Sequence, residues 1–405
     1  MNKYRTTAIL LFFLFYAGLG AYGMEPVDIH GFISQGYIRS IGNDVMTDTT
    51  QGSFEMNEMG LTFTTQVDPR LRLGIQFFAR DYGEYGNDEV TVDWAFADYK
   101  VRPWLGLKAG SMKIASGFYN TSRDIDSART FVILPSLYME SFRELFVGIK
   151  GLGVYGYLPY GLSYIASAGI GGNEEEFEDS FLFGTLFPVI FRGFASQISG
   201  MPPDAFTNIH PISIREKCAL NLGLVWNTPL TGLRFSATYF GTRLEADMAF
   251  DIGGNTYAQE IVLEETATII YSAEYAAGDT TVAAEYMIAP FYVEDQPKRK
   301  MESYYASIAH RFSERFELGI YYSELYPHYD DKDGSQQREG LPFHYSWFKD
   351  FCYTLRFDLS YNWIFKMEGH VIDGVALNPA TYKVRDFEDT SRRWEVYLAK
   401  LSYNF

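Results

Sequence analysis

Seven ionisable residues of both signs, Arg123, Asp124, Asp126, Arg129, Glu140, Arg143 and Glu144, fall within the single stretch 115–146. A second, wholly basic set comprises Arg72, Arg80, Lys108, Arg234, Arg356, Lys366 and Lys400, each in a segment whose alternate residues are apolar. Neither set pairs a nucleophile with a base, as covalent catalysis requires. Carboxylates facing guanidinium and ammonium groups across a narrow aqueous passage do something else: they create a transverse field that orients polar solutes and sorts ions. Taken singly, each of these charges can equally well face water or tie a loop to a wall.

Other patterns with chemical potential are weaker. The run Gly151-Leu152-Gly153-Val154-Tyr155-Gly156 has dinucleotide-fingerprint spacing, with Glu174 to Glu176 downstream. That motif works only where the glycines open a helix, and here a turn and another strand are predicted to follow. Asp330-Asp331-Lys332-Asp333-Gly334 is rich in oxygen ligands but lacks the twelve-residue calcium pattern. The acids Glu174, Glu175, Glu176, Glu178 and Asp179 read as a solvated turn. The histidines, His30, His210, His310, His328, His344 and His370, are scattered, and none forms a helical metal-spaced pair. Cys218 and Cys352 are far apart in sequence and read as two separate thiols, buried or facing an interior. No metal, no cofactor and no enzymatic activity is expected.

The elements that must position these residues follow from the period of the apolar pattern. Leu71, Leu73, Ile75, Phe77 and Ala79 alternate with Arg72, Gly74, Gln76, Phe78 and Arg80. Phe351, Tyr353, Leu355, Phe357 and Leu359 alternate in the same way with Cys352, Thr354, Arg356, Asp358 and Ser360. A period of two puts the two sets on opposite faces of a strand. About sixteen such segments succeed one another, near 28–40, 54–66, 71–82, 88–101, 105–114, 147–157, 161–171 and 217–227, then near 231–245, 261–275, 280–292, 301–312, 316–326, 350–360, 362–371 and 392–405. Alternate connections are short, and Pro69, Pro103, Pro159 and Pro229 fall in them, where no ladder hydrogen bond is lost. The remaining connections are long, near 115–146, 172–216, 246–260, 293–300, 327–349 and 372–391. Strict short–long alternation predicts an all-β transmembrane antiparallel barrel of about sixteen strands, with short turns on one side and long loops on the other. The apolar segment from Phe181 to Ile198, inside loop 172–216, is expected to plug the barrel mouth or to meet a neighbouring subunit.

Composition agrees. Aromatic residues make up 17% of the chain at a mean hydropathy of −0.13, which suits a surface apolar on one side and girdled by aromatics. Lys3 and Arg5, the apolar run Ile9 to Tyr16 and Ala21-Tyr22-Gly23 form the three parts of a secretory signal peptide. The expected organisation is therefore a leader at 1–23 and one barrel domain at 24–405. A net charge of −17 excludes a nucleic-acid surface, which needs basic stripes. Acid concentrated in the long loops can be screened there by divalent cations and lipopolysaccharide.

The leader, the alternating segments and the last strand, with Tyr397, Ala399, Leu401, Tyr403 and Phe405 on one face, together resemble the Gram-negative outer-membrane porins. The opening run Ile29-His30-Gly31-Phe32-Ile33-Ser34-Gln35-Gly36-Tyr37 looks like their first strand. The stretch from Gly86 to Val90 through Trp94, Asp98 and Tyr99, followed by Phe118-Tyr119-Asn120 and Arg123-Asp124, looks like a largely uncharacterised porin-like subfamily. The resemblance implies residence in the cell outer membrane among lipid and lipopolysaccharide, assembly as a homotrimer, and insertion by the barrel-assembly machinery reading Tyr403 and Phe405. It also implies that loop 115–146 folds inward as the constriction. The function expected is passive diffusion of small polar solutes and ions. A channel selective for organic acids, sugars or inorganic anions is the alternative. A non-transport adhesion or structural barrel is the third reading, and it predicts a lumen blocked by loops 115–146 and 172–216.

Overall fold

The structure, a computed structural model, describes residues 26–45, 47–83, 86, 88–140, 143, 148–171, 205, 207–293, 298–336, 342–382 and 389–405. The leader expected at 1–23, the apolar segment Phe181 to Ile198 and Glu144 lie outside them.

Each predicted segment is a strand. The first half of the chain supplies β1 (Asp28–Ile41), β2 (Asn57–Asp68), β3 (Leu71–Asp81), β4 (Thr91–Arg102), β5 (Leu105–Lys113), β6 (Gly148–Tyr157), β7 (Leu162–Ile170) and β8 (Thr207–Asn227). The second half supplies β9 (Leu233–Ile252), β10 (Asn255–Ala277), β11 (Thr280–Val293), β12 (Arg299–Ser313), β13 (Phe316–Tyr326), β14 (Phe348–Asp358), β15 (Trp363–Gly374) and β16 (Arg393–Asn404). Each pairs antiparallel with its sequence neighbours, and β1 pairs with β16 from Phe32↔Asn404 to Ile41↔Glu395. Closure leaves no edge, so backbone donors and acceptors at membrane depth meet one another and not hydrocarbon. Helical structure among the described residues is confined to short 3-10 turns, and none is long or apolar enough to cross a membrane.

Alternation places the faces as expected. Leu61, Leu73, Leu107, Leu152, Leu222, Phe351 and Tyr353 point outward and are exposed, while Gln76, Arg80, Cys352, Thr354 and Lys366 point inward and are buried. Around the short-turn end Trp104, Tyr157, Trp226, Phe235, Tyr275, Phe312 and Trp363 stand exposed on the outer surface. An apolar belt bordered by aromatics is the surface of a membrane barrel.

Three sequence expectations about the long connections need correction. Residues 246–260 are not a loop: β9 and β10 run on as a hairpin to a two-residue turn at Gly253-Gly254, both at positive φ (57° and 84°). Such a turn needs left-handed backbone at both positions, which glycine adopts without strain. Likewise 207–216 belongs to β8, whose pairing with β9 is broken by register shifts at Thr207/His210, Pro211/Ser213 and Glu216/Cys218. These irregularities interrupt the period-two signal and hid the extension. The three strands have 21, 20 and 23 residues, roughly twice what a tilted membrane strand needs, so this sector rises beyond the belt. Loop 293–300 is also shortened, because β12 begins at Arg299.

Candidate functional site

The connection between β5 and β6 turns into the barrel and touches almost every sector of its wall. Leaving β5, Ala115 N–H donates to Asn221 on β8 at 2.8 Å, and Gly117 N–H to Thr238 on β9 at 3.0 Å. Phe118 N–H donates to Glu285 on β11 at 2.8 Å, and Tyr119 O–H to Glu274 on β10 at 2.9 Å. The chain then crosses to the opposite wall. There Ser402 on β16 donates to Asp126 at 2.8 Å, and Arg356 on β14 donates to the carbonyls of Ser127 and Arg129 at 3.0 Å each. Thr130 donates to Glu317 on β13 at 2.5 Å, and the Val132 and Ile133 amides donate to Glu368 on β15 at 2.7 Å each. Returning, the segment packs Leu134, Leu137, Tyr138 and Met139 into one apolar cluster with Phe240, Leu244, Ile270, Met287 and Tyr305.

Six of the seven constriction residues predicted from sequence, all but Glu144, lie among the described residues, and they meet their counter-charges by direct contact. Arg123 and Arg80 both donate to Glu140, at 2.5 and 2.6 Å. Asp124 is gripped by Lys113 and by Arg143, whose guanidinium lies 4.4 Å from the Phe78 ring centroid and 4.0 Å from Asp93. Asp126 faces Lys366 at 3.0 Å and Lys400 at 3.7 Å, while Lys400 also pairs with Glu58. Arg129 lies 3.9 Å from Glu58. Lys366 further donates to the carbonyls of Asp126 and Arg129 at 2.6 and 2.8 Å.

The other wall bases stand apart from this clamp. Arg72 pairs with Asp98 at 3.4 Å and is half exposed, Lys108 lies over the Phe96 and Tyr155 rings, and Arg234 pairs with Glu274 at 2.8 Å beneath Phe118. Sequence reasoning expected the two signs to face each other across water; the loop instead reaches the wall and closes that gap. Tyr403, on β16, packs on Trp363 with centroids 4.8 Å apart, and Phe405 exchanges two 3.0 Å backbone hydrogen bonds with Gly31. Both cysteines are free. Cys352 is buried on the inner face as expected, whereas Cys218 is exposed beside its register shift.

The wall acids Glu58, Asp93, Asp98, Glu285, Glu317, Asp350 and Glu368 were missed by sequence reasoning, though they occupy the inward positions of the same alternation that revealed the bases. Glu58, Asp93, Glu285, Glu317 and Glu368 meet hydroxyls, amides and cations of the loop, whereas Asp98 holds Arg72 and Tyr155 and Asp350 holds Tyr321 and His370 on the wall; each would be costly to leave unpaired.

Electrostatics keep the Asp124 and Asp126 carboxylates of the clamp ionised in acid. Burial pushes the Asp124 carboxyl up, but Arg143, Lys113 and Arg123 outweigh it and hold the group well below the usual carboxylate range. At Asp126 burial likewise pushes the carboxyl up, and Lys366, Lys400 and Arg129 overcome it and hold the group low. A carboxyl depressed in the folded state contributes its full stability above its unfolded value, and this is lost progressively as pH falls from that value through the depressed one. The part of the unfolding free energy that Asp124→Asn and Asp126→Asn remove should therefore change little as pH is lowered from 7 to about 4, where an ordinary carboxyl is half protonated, and shrink only below. A difference between wild type and these variants that is lost with a midpoint at about pH 4–5, measured by unfolding of the reconstituted barrel, would contradict this assignment.

Together these features define a class: a closed sixteen-strand antiparallel membrane barrel whose β5–β6 loop turns inward, the fold of the outer-membrane porins. Among similar solved structures, OmpF of Salmonella typhi in complex with daunomycin superposes with a TM-score of 0.58 at 12% identity, over 94% of this chain and 97% of that one. The trimer form of OmpT, an outer membrane protein of Vibrio cholerae, gives 0.53 at 13%, over 94% and 99%. An anion-selective porin from Comamonas acidovorans gives 0.55 at 10%, over 94% and 99%. No family model and no curated protein matches the sequence.

Proposed function

We propose that the protein is an outer-membrane channel of the porin type for small polar solutes and ions, with passage restricted by loop 115–146. The observation that carries this reading is that the loop crosses the lumen: buried ion pairs tie it to Lys113 and Arg80 on β5 and β3 and to Lys366 and Lys400 on β15 and β16, and hydrogen bonds tie it to Asn221, Thr238, Glu274 and Glu285 on β8–β11 across the barrel. Wall residues at its level, among them Asn221, Met287, Ser323, Thr354 and Lys366, are 0% exposed. A wide, freely open pore would wet such residues. Arg72, Lys108 and Arg234 would then line the vestibule on the short-turn side, with Asp98 and Glu274 as their counter-charges.

The outer-membrane setting is supported by the apolar belt and aromatic girdle, and by the barrel's likeness to outer-membrane proteins. Assembly as a homotrimer draws support from the similar OmpT, described in a trimer form. Contact with lipopolysaccharide and insertion by the assembly machinery complete the proposal. Swelling of proteoliposomes carrying the refolded full chain tests it: uptake of pentoses and hexoses should be slow and steeply size-dependent. Uptake independent of solute size would contradict the restriction. Absence of any flux would favour a non-transport barrel, a second reading that the apolar packing of Leu134, Leu137 and Met139 inside the lumen favours.

A further inference from the structure

One cluster of ligating side chains lies under the loop and has no part in the ionic clamp. On β14, Asp350, Cys352 and Thr354 share the inner face; on β15, Glu368 and His370 do. The register sets Cys352 directly opposite His370, and Thr354 opposite Glu368. Cys352, Glu368 and His370 are 0%, 3% and 2% exposed. One sulfur, one carboxylate oxygen and one imidazole nitrogen from these three lie within 4.8 Å of one another. His370 Nε2 is 3.1 Å from Glu368 Oε1.

We infer that Cys352, Glu368 and His370 are a binding site for a thiophilic divalent cation of the zinc class. Bond lengths to zinc place the ligand atoms of a tetrahedral site roughly 3.3–3.7 Å apart, so the three side chains need only small adjustments to close on an ion. A cysteine ligand disfavours calcium and magnesium and suits softer metals. The surroundings are those of a metal histidine. Its second nitrogen, Nδ1, faces Asp350 at 3.0 Å, and Tyr321 donates to that carboxylate at 2.8 Å. This arrangement fixes the ring with Nε2 on the Glu368 carboxylate. Thr354 holds the second Glu368 oxygen at 2.5 Å.

Charge balances as well. Without metal, both ring nitrogens face carboxylates and so carry hydrogens, giving one imidazolium, two carboxylates and a neutral buried thiol. Binding a dication releases the thiol proton and the Nε2 proton to solvent, leaving the net charge of the buried cluster unchanged. A cavity lined by Asp350, His370, Ser136 and Leu325 adjoins the histidine. Because Glu368 also holds the Val132 and Ile133 amides, the ion would fasten the loop to the wall.

This inference does not depend on the channel reading, and its test uses cobalt as the probe. The untagged full chain, refolded in detergent and stripped with chelator, should bind one Co2+ per chain with thiolate-to-cobalt charge-transfer absorption that Zn2+ abolishes by displacement. Cys352→Ser, a single-atom change, should remove that absorption while the heat-resistant barrel mobility on gels is retained. Asp350→Asn should keep the absorption and weaken binding about 10–100-fold. Absence of charge-transfer absorption in the folded wild type, or Co2+ binding unchanged in folded Cys352→Ser, would overturn the site.

Discussion

Excising residues 118–139 and bridging the gap with a short flexible linker should raise single-channel conductance about tenfold or more, since a barrel of this strand number is wide enough for an aqueous channel once its lumen is cleared. The segment contributes no strand to the ladder, which runs unbroken from β1 to β16. Barrel closure should therefore survive. What is lost is the bridge from Phe118 on Glu285 to Asp126 on Lys366 and back through Tyr138, together with the apolar plug of Leu134, Leu137 and Met139. Conductance measured in planar bilayers on the excised and intact proteins, both folded, decides the matter. Equal values would mean that the loop does not govern passage.

The second large effect concerns a single lysine. Lys366 is wholly buried and gives its three hydrogens to the Asp126 carboxylate and to the carbonyls of Asp126 and Arg129. Lys366→Met keeps the length and apolar stem but removes the charge and all three donors. Removing one member of a buried ion pair costs about 3–5 kcal/mol, because the remaining charge stays desolvated. Lys400, at 3.7 Å from Asp126 and already engaged by Glu58, offsets only part of this. The urea midpoint of the refolded barrel should fall accordingly. Exposed Lys100, changed to Met as a control, should move stability by about 0.5 kcal/mol or less. If both substitutions cost the same small amount, the buried clamp is not a stabilising contact.

These two experiments fall on features of unequal legibility. Lys366 and Lys400 could be assigned to the inner face from alternation alone, since Phe365 and Met367, Ala399 and Leu401 flank them. The short turns were equally plain, because Pro69, Pro103, Pro159 and Pro229 punctuate otherwise regular strands. Alternation tells a face, however, and not a partner. That Lys366 meets Asp126, or Glu368 the Val132 amide, depends on the path of a loop more than two hundred residues away in the chain. Hence the charges expected to oppose each other across water proved to touch.

The extensions of β8–β10 escaped notice for a local reason, the register shifts near Pro211 and Glu216. The Cys352, Glu368 and His370 cluster escaped for another. Its ligands recur at period two on neighbouring strands, so they meet only once the register of β14 against β15 is known. A search for helical metal spacing passes over such a pattern.

The most direct test of the account is single-channel recording from the intact, refolded protein in planar bilayers, with a salt gradient to read ion preference. A lumen crossed by a clamped loop predicts small or intermittent conductance that is stable in pH down to about 4. Steady, ohmic steps from the intact protein, as large as those of the loop-excised form, would contradict it.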